Sequence, residues 1–258
     1  MIFIQPSINP VLFSLGFIDI RWYSLAYIFA FILGSIIIKR INSSSYSLIS
    51  DDQIDKFFIW AIVGVIIGGR IGYVFFYQTN LFLNKPSYIL EIWNGGMSFH
   101  GGLIGMILSI YFFSLKYKIK FFYLSDLVSL VAPIGLFLGR ISNFINTELY
   151  GRITDFPFAI IYPLIDKNPR HPSQLYEALF EGIILFLILF FYYIKKPKEY
   201  LIGKISALFL IFYSLFRFTI EYLREPDYHL GLVFYYFSMG QLLCIPFFLA
   251  GILILVRK

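Results

Sequence analysis

Apolar residues run along this chain in seven long blocks, at 20–38, 57–76, 97–115, 121–138, 175–194, 201–220 and 233–256, with shorter polar stretches between them. Most approach the ~20 residues an α-helix needs to cross the hydrocarbon core of a bilayer. The pattern predicts an all-α integral membrane protein with about seven transmembrane helices. The block at 121–138 is the least regular, being short and carrying Asp126 and Pro133. The largest piece outside the blocks, about 140–174, holds Pro157, Pro163, Pro169 and Pro172, and prolines so spaced predict an irregular outer cap, not another helix. No repeat of fixed period is visible. The only low-complexity stretch is Asn42-Ser43-Ser44-Ser45, read as a short linker.

Composition supports the membrane class: 59% of residues are hydrophobic, 21% aromatic and only 14% charged, far from the usage of soluble domains. A net charge of +6 would suit nucleic acid if it formed a basic stripe. Here the bases are interleaved with apolar blocks, so a nucleic-acid partner is excluded. Residues 1–6 lack the positively charged start of a cleavable signal peptide, so the mature chain is expected to begin at Met1, with a first span that inserts by itself. The single cysteine, Cys244, excludes an internal disulfide and lies in an apolar stretch where no base or cation is expected nearby. The three histidines, His100, His171 and His229, have no metal-ligand spacing. No metal and no cofactor is expected.

Charge orients the spans. Lys39, Arg40, Lys56, Lys116, Lys118, Lys120, Lys195, Lys196, Lys198, Lys204, Arg257 and Lys258, 12 of the 21 bases, fall after the first, third and fifth blocks and at the C-terminus. By the positive-inside rule these segments are cytoplasmic, which puts the N-terminus and the cap outside. The identity of the bases adds a second signal. Ten of those 12 are lysine, whereas seven of the other nine (Arg21, Arg70, Lys85, Arg140, Arg152, Lys167, Arg170, Arg217, Arg224) are arginine. Arginine kept to one side points to recognition by its planar fork, of carboxylate or phosphate, although any single one of these can be a snorkelling or capping residue.

The densest polar cluster is Gly139-Arg140-Ile141-Ser142-Asn143-Phe144-Ile145-Asn146-Thr147-Glu148-Leu149-Tyr150-Gly151-Arg152. Ionisable groups where hydrocarbon gives way to water mark a functional site unless they face a protein interior. If the helix of the fourth block continues, Arg140, Asn143, Thr147 and Gly151 share a face suited to an anionic headgroup. The third block opens on Gly95-Gly96-Met97-Ser98-Phe99-His100-Gly101-Gly102, where the glycines permit close packing and His100 is a titratable group near neutral pH or a hydrogen-bonded structural residue. Ser98 lacks the Gly-x-Ser-x-Gly context of a nucleophile elbow. Tyr213, Arg217, Glu221 and Arg224 recur at helical spacing, and Arg217 and Glu221 can neutralise one another. Ser173 is placed to cap the fifth span, with Tyr176 and Glu177 in its first turn.

Taken with Arg21-Trp22-Tyr23, Gly68-Gly69-Arg70-Ile71-Gly72-Tyr73, Arg170-His171-Pro172-Ser173-Gln174-Leu175-Tyr176-Glu177 and Ser238-Met239-Gly240-Gln241, these segments resemble the bacterial prolipoprotein diacylglyceryl transferases over nearly the whole chain. The 139–152 stretch meets every fixed position of that family's signature except 142, where Ser142 stands in place of glycine or alanine. The resemblance implies a single membrane-embedded transferase domain, 1–258, in the bacterial inner membrane, with a periplasmic N-terminus and a cytoplasmic C-terminus. It also implies transfer of the diacylglyceryl group of phosphatidylglycerol to the lipobox cysteine of a preprolipoprotein signal peptide, with release of glycerol 1-phosphate. On the same ground Tyr23, His100, Arg140, Glu148, Arg217 and Glu221 are the expected catalytic residues, and Arg140, Asn143, Asn146, Gly151 and Arg217 the expected headgroup contacts. His100 is the expected base toward the thiol and Arg140 and Arg217 the expected phosphate ligands. A transporter or a scaffold is the competing class. Transport would usually bring repeat symmetry, and a scaffold leaves the outward arginines without a reason.

Overall fold

The computed structural model describes residues 3–15, 18–42, 48–196, 201–226, 232–233 and 236–257. Residues 43–45 of the expected linker, and Lys198, Asp227, His229 and Lys258, lie outside them. In chain order the elements are β1 (Phe3–Ile4), β2 (Val11–Leu15), β3 (Ile18–Arg21), α1 (Trp22–Asn42), α2 (Asp51–Tyr77), α3 (Thr79–Asn84), α4 (Phe99–Tyr117), α5 (Phe121–Ile145), β4 (Ile160–Ile161), β5 (Pro169–Arg170), α6 (Ser173–Glu177), α7 (Leu185–Lys195), α8 (Lys204–Ile220), β6 (Leu232–Val233), β7 (Phe237–Ser238) and α9 (Met239–Val256). Two short 3₁₀ turns, Pro86–Leu90 and Ile92–Asn94, follow α3, and a π-helical stretch, Ala178–Ile184, joins α6 to α7.

Each apolar block coincides with a helix. Six helices, α1, α2, α4, α5, α9 and the continuous Ser173–Lys195, are long and apolar enough to cross a membrane. The seventh, α8, has 17 residues, or about 26 Å at ~1.5 Å per residue, because the chain leaves the helix at Glu221. The protein is a multi-pass membrane protein, mostly α-helical, and the described residues also form three small sheets: β1-β4-β5, the β2–β3 hairpin and β6–β7. The helix of the fourth block runs on to Ile145, so the irregular segment starts at 146 and not at 140. Its strand β4 pairs parallel to β1 and antiparallel to β5.

The chain forms two compact units, 37–125 and 1–36 with 126–258. Within 37–125, Ser50 and Gln53 make a capping box that starts α2, and α2 packs on α4 through glycines. A methyl on Gly68 would lie 2.9 Å from the Cα of Gly105 and closer still to the Gly101 carbonyl, so only hydrogen at Cα allows these backbones to touch. The glycines of the third block are thus packing residues. Arg70 is buried beside them, and its guanidinium donates to the carbonyls of Tyr88 (2.7 Å), Ile89 (3.2 Å), Gly95 (2.5 Å) and Gly96 (3.4 Å), with its Cζ 4.7 Å from the centre of the Tyr88 ring. This arginine fork serves the backbone and not an anion, against the expectation from charge bias.

In the larger unit, the Asp126 that made the fourth block irregular is buried and does work in the fold. Its carboxylate accepts from Gly203 N (2.6 Å), Ser206 N (2.8 Å) and Ser206 Oγ (2.7 Å), satisfying the free N–H groups that open α8. Gly182, in the π stretch, lies against α5, where a methyl would come 2.6 Å from the Cβ of Phe137 and 2.9 Å from its Cα. That close approach brings the π stretch beside α5 one turn before Arg140.

Candidate active site

Arg140 and Arg217 come together on a pair of carboxylates that the sequence reading did not single out as site residues. Glu177 ends α6 and Glu181 lies in the π stretch; neither has any solvent exposure. Arg140 Nε is 3.0 Å from Glu177 Oε2, and Arg140 Nη2 donates to Glu181 Oε2 at 3.1 Å. Arg217 Nη1 bonds Glu177 Oε1 closely, lies 3.8 Å from Glu181 Oε1, and Arg217 Nη2 is 2.8 Å from Glu221 Oε2. Glu221 in turn accepts from Ser238 Oγ at 2.9 Å and has Arg224 Nη1 at 3.7 Å. Three guanidiniums therefore face three carboxylates in a nearly dry setting, where an unpaired charge would be costly. Among the described residues Arg140 Nη1 has no hydrogen-bond partner, and the Arg140 side chain keeps 14% exposure.

The π stretch has a local reason and a consequence. A π turn is rare and recurs at functional sites because it rotates the residues that follow it. Here it separates Glu177 from Glu181 while both carboxylates still meet the same two arginines. One signal could have exposed this in the sequence: Glu181 is an ionisable residue inside the apolar block 175–194, which is by itself a mark of function. Ser173, expected as the cap of this span, does something else. Pro172 occupies the N-cap without a side-chain bond, and Ser173 Oγ donates to Leu149 O at 2.7 Å.

The second half of the 139–152 segment closes on itself. Glu148 accepts from Asn143 Nδ2 at 3.0 Å and from Asn146 Nδ2 at 3.3 Å. Gln174 Nε2 donates to Glu148 O at 2.6 Å. Thr147 and Leu149 adopt positive φ, 59° and 58°, uncommon for such residues and stabilised by these surrounding bonds. Consequently Thr147 and Gly151 do not continue the helix face of Arg140 and Asn143. Gly151 instead donates to His171 O at 2.9 Å and bridges Arg224. Ser142, the departure from the signature, is buried and donates to Leu138 O at 3.0 Å, so its extra hydroxyl is satisfied within the helix.

The remaining expected residues stand as follows. Tyr23 is half-buried in the first turn of α1, its ring centre 5.2 Å from that of Tyr27. His100 belongs to the unit 37–125, where it stands exposed in the first turn of α4, after the N-cap Ser98, with the Phe99 ring edge-on at 5.6 Å. Cys244 is buried and lies within electrostatic range of Arg217, Glu181 and Glu221, which corrects the expectation that no cation is near it. In the cap, Arg170 pairs with Asp166 (2.6 Å) and Glu225 (3.2 Å), and its hydrogen bond holds the Asp166 carboxyl below the usual carboxylate range. Burial lowers the pKa of the His171 imidazole, which keeps it neutral at pH 7. No group of three or more histidine, cysteine or acidic side chains is arranged to hold a metal among the described residues.

Comparison with known proteins completes the picture. The sequence profile described as prolipoprotein diacylglyceryl transferase matches residues 10–257. The chain is similar to proteins named phosphatidylglycerol–prolipoprotein diacylglyceryl transferase: it is 48% identical to that of Rickettsia typhi over 254 residues, 98% of each chain. It is 47% identical to that of Rickettsia felis over 246 residues, 95% of each chain, and 47% identical to that of Rickettsia canadensis over 248 residues, 96% of each chain.

Proposed function

The chain belongs to the prolipoprotein diacylglyceryl transferase family, and from that membership we propose that it transfers the diacylglyceryl group of phosphatidylglycerol to a prolipoprotein, acting on the thiol of the lipobox cysteine and releasing glycerol 1-phosphate. The whole of 1–258 acts as one transferase domain. Its setting is the bacterial inner membrane, with the N-terminus periplasmic and the C-terminus cytoplasmic, as the lysine distribution favours.

The reaction forms a sulfur–carbon bond and breaks a carbon–oxygen bond, so negative charge grows on the phosphate that leaves. Fixed cations already oriented toward that charge lower the barrier without reorganising in the step. The observation that carries the reading is the convergence of Arg140 and Arg217 on one carboxylate, Glu177. Two forks gathered that closely can address a single phosphodiester. Asn143, Asn146 and Gly151 act on the headgroup through the turn they build, with Glu148 as the carboxylate that holds both amides. Glu221 orients Arg217. Tyr23, at the first turn of α1, is a further catalytic residue of this reading.

His100 is the base for the thiol, which ionises near ~8.5 unaided. Its exposure at the start of α4 leaves it accessible to an incoming peptide. Purified protein given labelled phosphatidylglycerol and a lipobox peptide should yield a thioether-linked lipid on the cysteine; no thioether under conditions where lipid binds would overturn the assignment. In the same assay the rate deficit of His100→Asn should shrink as pH rises past the thiol pKa. A deficit that stays constant with pH would remove His100 from the base role.

A further inference from the structure

The charge balance around Arg140 and Arg217 has a chemical consequence for any anion that enters. Among the ion-paired groups, Arg140, Arg217 and Arg224 are matched by Glu177, Glu181 and Glu221, so the cluster is formally neutral before lipid arrives. A phosphodiester adds one negative charge to a place where the carboxylates have almost no solvent contact. In such a medium a carboxylate takes a proton more readily than the site tolerates an unpaired charge.

The three carboxylates are not equally held. Glu177 bonds both guanidiniums. Glu221 has Arg217 at 2.8 Å, the Ser238 hydroxyl at 2.9 Å and Arg224 at 3.7 Å. Glu181 has one hydrogen bond, from Arg140 at 3.1 Å. Each of the three carboxylates has one buried oxygen without a hydrogen bond, but Glu177 Oε2 and Glu221 Oε2 have a guanidinium nitrogen at 3.0 and 2.8 Å, whereas Glu181 Oε1 has Arg217 only at 3.8 Å. Facing it are Arg140 from α5, Glu177 from α6, Tyr213 and Arg217 from α8 and Cys244 from α9, of which Glu177 repels its charge.

Resting on the transferase reading above, we propose that Glu181 takes up a proton when an anionic phosphodiester occupies the Arg140–Arg217 pair, and that this proton is the one later given to the leaving phosphate. The bookkeeping of the step closes. The thiol loses its proton to the base, sulfur bonds to the glyceryl carbon, and the carbon–oxygen pair stays on phosphate. The phosphate thereby becomes a dianion, and the Glu181 proton returns it to a monoanion. Glu181 regains its charge, the base sheds its proton to water, and the site is again neutral.

Proton uptake can be read without turnover. The full-length protein in detergent, with no peptide acceptor, is titrated calorimetrically with short-chain phosphatidylglycerol at pH 7 in two buffers of different ionisation enthalpy. Wild type should take up about one proton per lipid bound, Glu181→Asp should do the same, and Glu181→Gln should bind with none. Phosphatidylethanolamine, whose ammonium brings its own compensating charge, should bind with none or not bind. Phosphatidylglycerol binding to wild type without uptake, or unchanged uptake in Glu181→Gln, overturns the inference and leaves the transferase reading standing. Absence of phosphatidylglycerol binding by wild type sinks both. Should Glu181→Gln fail to fold, the wild-type contrast between the two lipids decides alone.

Discussion

Arg70 and the Arg140–Arg217 pair are buried guanidiniums neutralised by different chemistry. Arg70 is surrounded by four backbone carbonyls and two tyrosine rings, dipoles that are fixed by the chain and engage all three guanidinium nitrogens. Arg140 and Arg217 are surrounded by carboxylates, charges that can be protonated or shared with an incoming anion. The first arrangement ties a loop to the end of α2. The second can change its charge state. The same residue type is therefore held by backbone dipoles in one unit and by ionisable side chains in the other.

The largest expected effect comes from deleting the shared partner. Glu177→Ala leaves two buried guanidiniums without the carboxylate that joins them, and breaking a buried pair on one side costs about 3–5 kcal/mol. Thermal unfolding in detergent should show a loss of that order; a change near zero would mean the cluster is hydrated and its pairing weak. Next come the lysine substitutions. Arg140→Lys and Arg217→Lys keep the charge but lose the fork, and thioether formation should fall by about 10²–10³-fold, as when one fixed transition-state donor is removed, with the fold retained. Arg70→Lys should do the reverse, lowering thermal stability and leaving turnover per folded molecule near wild type. Equal turnover losses at all three positions would erase the distinction.

A smaller effect tests the packing around Arg70. Gly105→Ala inserts a methyl against the backbone of Gly64 and Gly68, and such overpacking costs about 1–3 kcal/mol. The smallest concerns the cap. Because Arg170 depresses the Asp166 carboxyl in the folded state, the pair stabilises above the unfolded value near ~3.9, and that contribution is lost as pH falls through the depressed value. Asp166→Asn should therefore be slightly less stable than wild type at pH 7 and indistinguishable from it in strong acid. A stability difference that persists at the lowest pH would assign the role to packing and not to charge.

Much of this was legible in the residues. The seven blocks locate the helices, because hydrocarbon demands long apolar runs, but miss some ends by as much as the stretch from 138 to 145. Arg140, Arg217 and Glu221 stood out because charged groups at span ends are costly. Three misreadings share one cause, reading side chains by position along a helix alone. Thr147 and Gly151 were set on the face of Arg140, yet the helix stops at Ile145. Ser173 was set at a cap, yet it bonds Leu149 across the segment. The apolar sequence neighbours of Cys244 predict no charge near it, whereas α9 places it within electrostatic range of Arg217.

By itself the sequence determined the membrane class, the positions of the spans and the family, since all of these follow from local polarity and from short motifs. Only the tertiary structure decided what the arginines touch. Arg140 meets Glu181 across 41 residues and Arg217 meets Glu177 across 40, distances over which spacing carries no geometry. The contact depends on how far each helix is rotated and how closely two backbones approach. For Glu181 those are set by the π turn at 178–184 that contains it and by Gly182 against Phe137, which sequence spacing does not reveal.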